Sequence, residues 1–452
     1  MAAKYVLIGA GSVSFTRGLV ADIIRTGKEV DLGLVDVSGE ALEVAERLVA
    51  KMVAARGAPI RISASTERRD ILPEADAVIC TVGVGGRRGW ASDIAVPREH
   101  GIFQPIGDTT MPGGLSRALR MIPAMVAIAR DVLDLCPEAL FFNYGNPMTA
   151  VCRAIRKATG ANVVGLCHGV KTTAQYLARF IGVPFEEISY TAVGINHLTW
   201  FLELRHRGRD AWPLVCAELA RRLETTPDNL LEAFAALGDT PELKKRLDQP
   251  FSWHAFAIYG AFPAVLDCHA YEFFPQFARE RRWYGETLWV DAAEAEARVR
   301  GGDRAWEEMR RVAFGQEPVP ESYFGSSAGE HEEVISIIES VETDARRVYS
   351  ANLPNRGQVP NLPAEAILEG PAIADAGGLR PIVVGELPSG IAAILASRIA
   401  VFETVVDAAL SGDKRLFVQA LVAEGSVRSL AGAQRLADDL LAAHAEHLPQ
   451  FQ

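Results

Sequence analysis

The sequence predicts an α/β protein, a Rossmann-like doubly wound parallel sheet followed by a second, α+β domain. Three observations predict it. The chain opens strand, glycine turn, helix, strand, and an aspartate closes the second strand. Strand-like apolar runs then alternate with helical segments over about the first 165 residues, as parallel strands joined by crossover helices require. After Gly182 the texture changes to paired strands and long helices. The expected division is a nucleotide-binding domain over 1–185 and an α+β domain over 186–452.

In chain order, residues 4–8 read as a buried strand, Gly9-Ala10-Gly11-Ser12 as a tight turn, and 14–25 as a helix. A second strand, 29–35, ends at Asp36. The helix 39–55 follows, with Leu42, Ala45, Leu48, Val49 and Met52 on one face. Further strands are expected at 77–82, 139–143 and 163–166. In the second half, strands at 187–195 and 199–206 flank Asn196-His197-Leu198, and helices dominate 214–314. Short strands at 346–350, 365–368 and 380–384 surround the loop NLPNRGQVPNLP, and helices at 389–410 and 431–444 close the chain. No repeat or flexible linker appears, so the second half is expected to pack onto the first.

With 452 residues and a net charge of −11, the chain can bury a large core and does not suit a nucleic-acid partner. Six cysteines scattered through so long a chain are no disulfide framework and fit a reducing cytoplasm. The N-terminus runs straight into a strand, so no leader is expected. No uninterrupted apolar run reaches about 18 residues, so no membrane span is expected either.

Six motifs carry chemistry. Gly9-x-Gly11-Ser12 would let backbone approach a pyrophosphate at a helix N-terminus, and Asp36 would accept a ribose hydroxyl of NAD. Ser14 replaces the third glycine, and the competing reading is an ordinary turn capped by Ser12. Val82 and Gly83 lie in a run of small residues at a strand end, suited to a cofactor crossing the sheet or to a flexible loop. Asp108 precedes Gly113-Gly114 and is either an acid near a metal or a turn residue. Asn146, in Asn143-Tyr144-Gly145-Asn146-Pro147, either caps a helix or holds a sugar hydroxyl. Cys167-His168-Gly169 and Asn196-His197 follow two strands and offer a thiolate and an imidazole to a divalent ion such as Mn, Fe, Co, Ni or Zn. A buried lone cysteine is more commonly inert. Tyr259-Gly260-Ala261-Phe262-Pro263, with Asp267 and His269 behind it, presents either a base beside a cation or a core aromatic.

Together these residues resemble family 4 glycoside hydrolases. The match continues through Gly194-Ile195-Asn196-His197 and Asn352-x-Pro354-Asn355-x-Gly357-Gln358 to Asn361-Leu362-Pro363, in order over nearly the whole chain. NAD-dependent members of that family depart from the usual two-carboxylate mechanism. The resemblance implies a lactate/malate dehydrogenase-like fold and a cytoplasmic α-glycosidase acting on a small carbohydrate. It implies NAD and a divalent metal, usually Mn2+, as cofactors. Hydride leaves C3 of the sugar, a base takes the C2 proton, the glycosidic oxygen departs, water adds and hydride returns. It assigns the metal to Cys167 and His197, the sugar to Asn146, and the base to Tyr259. The leaving-group acid falls to Asp108 or His168. It places substrate, metal and subunit contacts in the second domain of a homodimer or homotetramer.

Phosphosugar members carry Asp or Asn after the metal cysteine, where this chain has His168-Gly169-Val170. The resemblance here is to the branch acting on unphosphorylated α-glycosides. Within it, Gly169 is most similar to the α-glucuronidases, ahead of α-galacturonidases and then neutral α-glucosidases and α-galactosidases. A sugar carboxylate calls for an arginine fork, for which Arg279 and Arg356 are the expected residues.

Overall fold

The computed structural model describes residues 2–277, Tyr284, 292–325 and 332–452. Arg279 lies outside the described residues. In the first half, β1 (Ala3–Ile8), β2 (Val30–Val35), β3 (Ile60–Ser65), β4 (Ala77–Cys80), β5 (Leu140–Asn143) and β6 (Val163–Gly165) are parallel, in the order β3-β2-β1-β4-β5-β6. In-register pairing aligns their carboxyl ends, Val35 opposite Ile8 opposite Cys80 opposite Asn143. The turns after Ile8, Val35, Cys80, Asn143 and Gly165 therefore share one rim. The strand order reverses between β1 and β4, where ligands of such sheets bind.

The second half extends the same sheet with antiparallel strands: β7 (Ile188–Ile195), β8 (Leu198–His206), β9 (Arg209–Asp210), β10 (Phe262–Ala264), β11 (Arg347–Pro354), β12 (Ile367–Asp375) and β13 (Gly378–Pro381). Two narrow junctions interrupt the sheet, one where the halves meet and one inside the second half. β11 meets β6 only at Asn352–Gly165, and β12 meets β7 only at Glu369–Gly194.

Apolar cores lie on both sides of the sheet. On one, the helix Met111–Leu135 packs beside Met148–Thr159 and under Ser389–Ser411. On the other, Thr16–Thr26 and Gly39–Arg56 meet Glu332–Glu342 and Ala292–Ala313 from the second half. The helix Ser389–Ser411 is long and apolar enough to cross a membrane. It carries Arg398 and Glu403, and Ile391, Leu395, Phe402 and Val405 are buried in the core.

Three strands have no counterpart in the sequence reading, the two-residue β9 in a polar stretch that reads as a turn among them. β3 alternates Ile60, Ile62 and Ala64 with polar residues over only six positions, and as the edge strand it is half exposed. β10 is three residues long and follows a helix after only Gly260 and Ala261. The strand expected at 365–368 runs on to Asp375 through Gly370-Pro371, residues that read as strand breakers.

Candidate active site

The nucleotide half is built on the rim turns. Gly9 and Ala10 N–H both donate to Val35 O, at 2.8 and 3.0 Å, tying the first turn to the end of β2. Asp36 receives the Gly11 N–H at 2.8 Å and the Ser38 N–H at 3.0 Å, so its carboxylate faces the turn. A Cβ on Gly11 would stand 2.6 Å from Ala41 Cβ and 2.9 Å from Asp36 Oδ2, so only glycine fits here. Ser12 Oγ accepts the Phe15 N–H at 3.3 Å, ahead of the helix Thr16–Thr26. A cleft of about 1370 Å³ opens from these turns across the sheet. Gly9, Gly11, Ser12, Asp36, Val82 and Gly83 all line it, as do Asp108 and Arg117. Glycines, a helix N-terminus and an acid at the second strand fit a dinucleotide such as NAD.

Asp108 connects this cleft to a second group of residues. The buried Glu272 Oε1 accepts the Ile106 and Gly107 N–H groups, at 2.8 and 2.5 Å, and so holds the preceding turn. A Cβ on Gly114 would stand 2.3 Å from the Thr109 carbonyl carbon, so the Gly113-Gly114 pair lets the helix Met111–Leu135 close against this loop. Asn146 Nδ2 donates to Asp108 Oδ2 at 3.1 Å. Its amide therefore serves the site, and the helix Met148–Thr159 starts behind Pro147 without a side-chain cap.

His197 enters from the β7–β8 turn at φ +67°, in the left-handed region. Its turn is anchored by Glu369, which accepts from Asn196 Nδ2 at 3.1 Å and the Thr199 hydroxyl at 3.5 Å. Burial pushes the Glu369 carboxyl up to about 8 against these hydrogen bonds. His197 Nδ1 lies 2.8 Å from Thr109 Oγ1, whose own proton goes to Asp108 Oδ1 at 2.7 Å. The hydroxyl must then accept from Nδ1–H, which leaves the Nε2 lone pair for a ligand. His269 lies beside it, ring centroids 4.1 Å apart and planes tilted by 47°.

Asp108, His197 and His269 bring one ligand atom each within 4.8 Å of one another. Burial, reinforced by His269, pushes His197 down to about 3 and keeps it neutral. Burial alone would raise Asp108, but His269, His197, Arg117 and the Thr109 hydroxyl together hold its carboxyl below the usual range. One carboxylate and two neutral imidazoles suit a divalent transition ion such as Mn2+.

The other expected residues take varied positions. His168 is the N-cap residue of the helix Gly169–Phe180 and acts electrostatically on both His197 and His269. Cys167 is half-buried, and its Sγ accepts the Gly169 N–H at 3.4 Å. It is not one of the three residues that converge within 4.8 Å. A Cβ on Gly169 would stand 2.9 Å from Val265 Cγ2, so this glycine has a packing reason of its own. Tyr259 ends the helix Pro250–Tyr259, with its ring edge-on to Trp200 at 5.1 Å. Arg356 is 64% exposed, 3.8 Å from Glu365, and does not line the cleft. Thr109 and Arg117 are not among the residues picked out from sequence, and His269 is named there only behind the Tyr259 motif, with no role of its own. His269 follows a short strand in DCHA and has no motif of its own. Arg117 reads as one more arginine on a long helix.

Two family models account for the chain. One, for family 4 glycosyl hydrolases, matches residues 4–183, and the other, for the C-terminal domain of that family, matches 192–427. The chain belongs to glycosyl hydrolase family 4. As a member of that family it is a glycosidase, and it shares 31% identity with an α-glucosidase of Erwinia rhapontici over 94% of each chain. It is 31% identical to an α-galacturonidase of Bacillus subtilis, covering 97% of this chain and 96% of that one. Among solved structures, a candidate glucosidase of Bacillus subtilis superposes with a TM-score of 0.85 at 28% identity, covering 97% of this chain and all of the other. A 6-phospho-α-glucosidase from gut microorganisms, in complex with NAD and Mn2+, gives 0.83 at 19% identity with both chains fully covered. A malate dehydrogenase of Cryptosporidium parvum gives 0.52 at 14% identity, covering 91% of this chain and all of the other, and shares the dehydrogenase-like fold.

Proposed function

We propose that this family 4 glycosyl hydrolase cleaves unphosphorylated α-glycosides, α-glucuronides first and α-galacturonides next, with NAD and Mn2+ as cofactors. The observation that carries the reading is Asp108. It lines the cleft shared with Gly9, Gly11 and Asp36 and also belongs to the Asp108, His197, His269 set. A dinucleotide and a metal-bound sugar would thus meet at one carboxylate.

When bound, NAD supplies reversible oxidation of a sugar carbon and the metal acidifies the neighbouring C–H. The chain's own residues do the rest. Asp108, His197 and His269 hold the cation, and Cys167 is a further ligand candidate from the strand end after β6. Asn146 orients a sugar hydroxyl beside Asp108. The removal of the C2 proton falls to Tyr259 on the family resemblance alone, since its ring packs on Trp200 and does not line the cleft. His168 protonates the departing oxygen, because Asp108, with its carboxyl held below the usual range, is unprotonated at neutral pH. We place the enzyme in the cytoplasm as a homodimer or homotetramer, which sedimentation showing only monomer would refute.

A neutral α-glucosidase or α-galactosidase with the same mechanism is the second reading, favoured by the 31% identity to an α-glucosidase and 30% to an α-galactosidase of Rhizobium meliloti. The test is a panel of p-nitrophenyl α-glycosides with NAD, Mn2+ and reductant. Release from the uronides without accumulation of NADH is expected. Faster hydrolysis of a neutral glycoside would select the second reading, and stoichiometric NADH would point to a 2-hydroxyacid dehydrogenase.

A further inference from the structure

We infer that Arg117 receives the C6 carboxylate of a uronic-acid substrate, and so sets the preference of this enzyme for uronides over neutral sugars. The inference rests on the reading above and names the residue that would enforce it.

Arg117 lies near the start of the helix Met111–Leu135 and lines the cleft between the cofactor loop and the Asp108 group. Its Nε donates to Asn146 O at 2.9 Å, and the Asn146 amide reaches Asp108. Its Nη2 stands 3.6 Å from where a Cβ on Gly83 would be. The guanidinium thus spans from the residue that would hold the sugar to the loop at the end of β4.

The charges around it leave it open to an anion. Asp93 and Asp108 attract it and Arg120 repels it. Asp93 is already paired with Arg120 through both oxygens and lies 2.9 Å from His444 Nε2. Asp108 is engaged by Asn146, Thr109 and the imidazoles. Among the described residues no carboxylate comes within ion-pair distance of Arg117. Burial costs such a cation free energy unless a ligand supplies the counter-charge, and desolvation lowers its pKa from the ordinary arginine value.

Two anions could do so, a cofactor phosphate or a sugar carboxylate. The phosphates belong at the Gly9–Ser12 turn and the helix behind it. Arg117 stands instead against Asn146 and Asp108, where the sugar would lie. Its terminal fork is matched in shape to a carboxylate. The other arginines are less suited. Arg356 is outside the cleft, and the other arginines that line it have carboxylates of their own: Arg298 donates to Glu294 at 2.6 Å, Arg68 and Arg69 pair with Asp131, and Arg87 lies 3.6 Å from Asp303.

The experiment compares wild type with Arg117→Gln and Arg117→Lys, each holding NAD and Mn2+. The readout is the ratio of kcat/KM for p-nitrophenyl α-glucuronide to that for p-nitrophenyl α-glucoside. Where the glucoside is too slow to follow, the ratio of inhibition constants for free glucose and free glucuronate replaces it. The ratio should fall at least about 30-fold in Arg117→Gln, the loss expected when one partner of a buried charge pair is removed, and recover in part in Arg117→Lys. NAD binding, followed by quenching of intrinsic fluorescence, should persist in both. An unchanged ratio would overturn the assignment, as would parallel loss of both activities together with NAD affinity, which would assign Arg117 to the cofactor. If Arg117→Gln fails to fold, the Arg117→Lys ratio decides alone. A wild-type enzyme that prefers neutral sugars removes the uronide reading itself, and with it this role. That failure shows in the wild-type arm before any variant is compared.

Discussion

Thr109 Oγ1 stands 2.8 Å from His197 Nδ1 and 2.7 Å from Asp108 Oδ1, so one hydroxyl orients two of the three groups that converge at the site. Replacing Thr109 by Val keeps the volume and removes that bridge. The His197 ring would then be free to rotate, and its tautomer would no longer be fixed. Manganese affinity should fall about 10- to 100-fold, as for other partners that orient metal ligands, with NAD binding retained. Titration calorimetry with Mn2+ alone measures it, and unchanged affinity would show that the bridge orients nothing.

His269→Ala and Cys167→Ser separate two views of the metal site. His269 belongs to the converging set and Cys167 does not. His269→Ala should lower manganese affinity by at least about tenfold and activity with it. Cys167→Ser should do the same only if the sulfur joins the ion when it binds. A serine enzyme with full metal affinity would leave Cys167 as an acceptor for the Gly169 N–H alone.

Gly11→Ala should weaken NAD binding and fold stability together. The new methyl would meet Ala41 and the Asp36 carboxylate at distances that real side chains do not adopt. Overpacking of this kind costs about 1–3 kcal/mol, so a lower melting temperature and a higher KM for NAD are expected. A normal KM for NAD would place the cofactor elsewhere.

Glu424 is buried at the end of the helix Lys414–Glu424, and burial raises its carboxyl above the ordinary glutamate range, with Ser426 and Arg398 opposing. In the unfolded chain the carboxyl loses its proton near pH 4.3, earlier than in the fold. Above that pH the unfolded state binds fewer protons, so this group's contribution to stability falls as pH rises toward the folded value. Glu424→Gln should flatten that decline. Melting temperatures from pH 4 to 8 should converge with wild type at the acid end and exceed it at the alkaline end. A variant less stable than wild type across the whole range would show that the ionised carboxylate is needed.

The opening of the fold was legible because its signals are local. A Gly9–Ser12 turn between a buried strand and a helix, closed by Asp36, needs only 36 consecutive residues to be read. The edge strand β3 was missed because half-exposed alternation over six residues resembles a loop. The site was harder for a different reason. Asp108, His197 and His269 lie on a loop, a hairpin turn and a four-residue helix, and their meeting depends on how the antiparallel strands dock onto β6. Arg117 carries no motif, and what marks it is the shortage of anions around it. Gly169 shows the converse. A residue that reads as a substrate signature also has a steric partner in Val265, which no sequence pattern reveals.

The sheet narrows to one residue pair on each side of the β11–β12 hairpin, Asn352–Gly165 and Glu369–Gly194, a seam between the parallel strands and the β7–β8 hairpin. Asp108 comes from the parallel side of that seam, and His197 and His269 from the antiparallel side. A cation seated among them would act as a clasp across that seam. Loading it at a hundred times its dissociation constant would stabilise the fold by about 2.7 kcal/mol. Part of that gain should concentrate at the seam, as slower amide exchange at Gly165, Gly194 and their neighbours than at the outer strands.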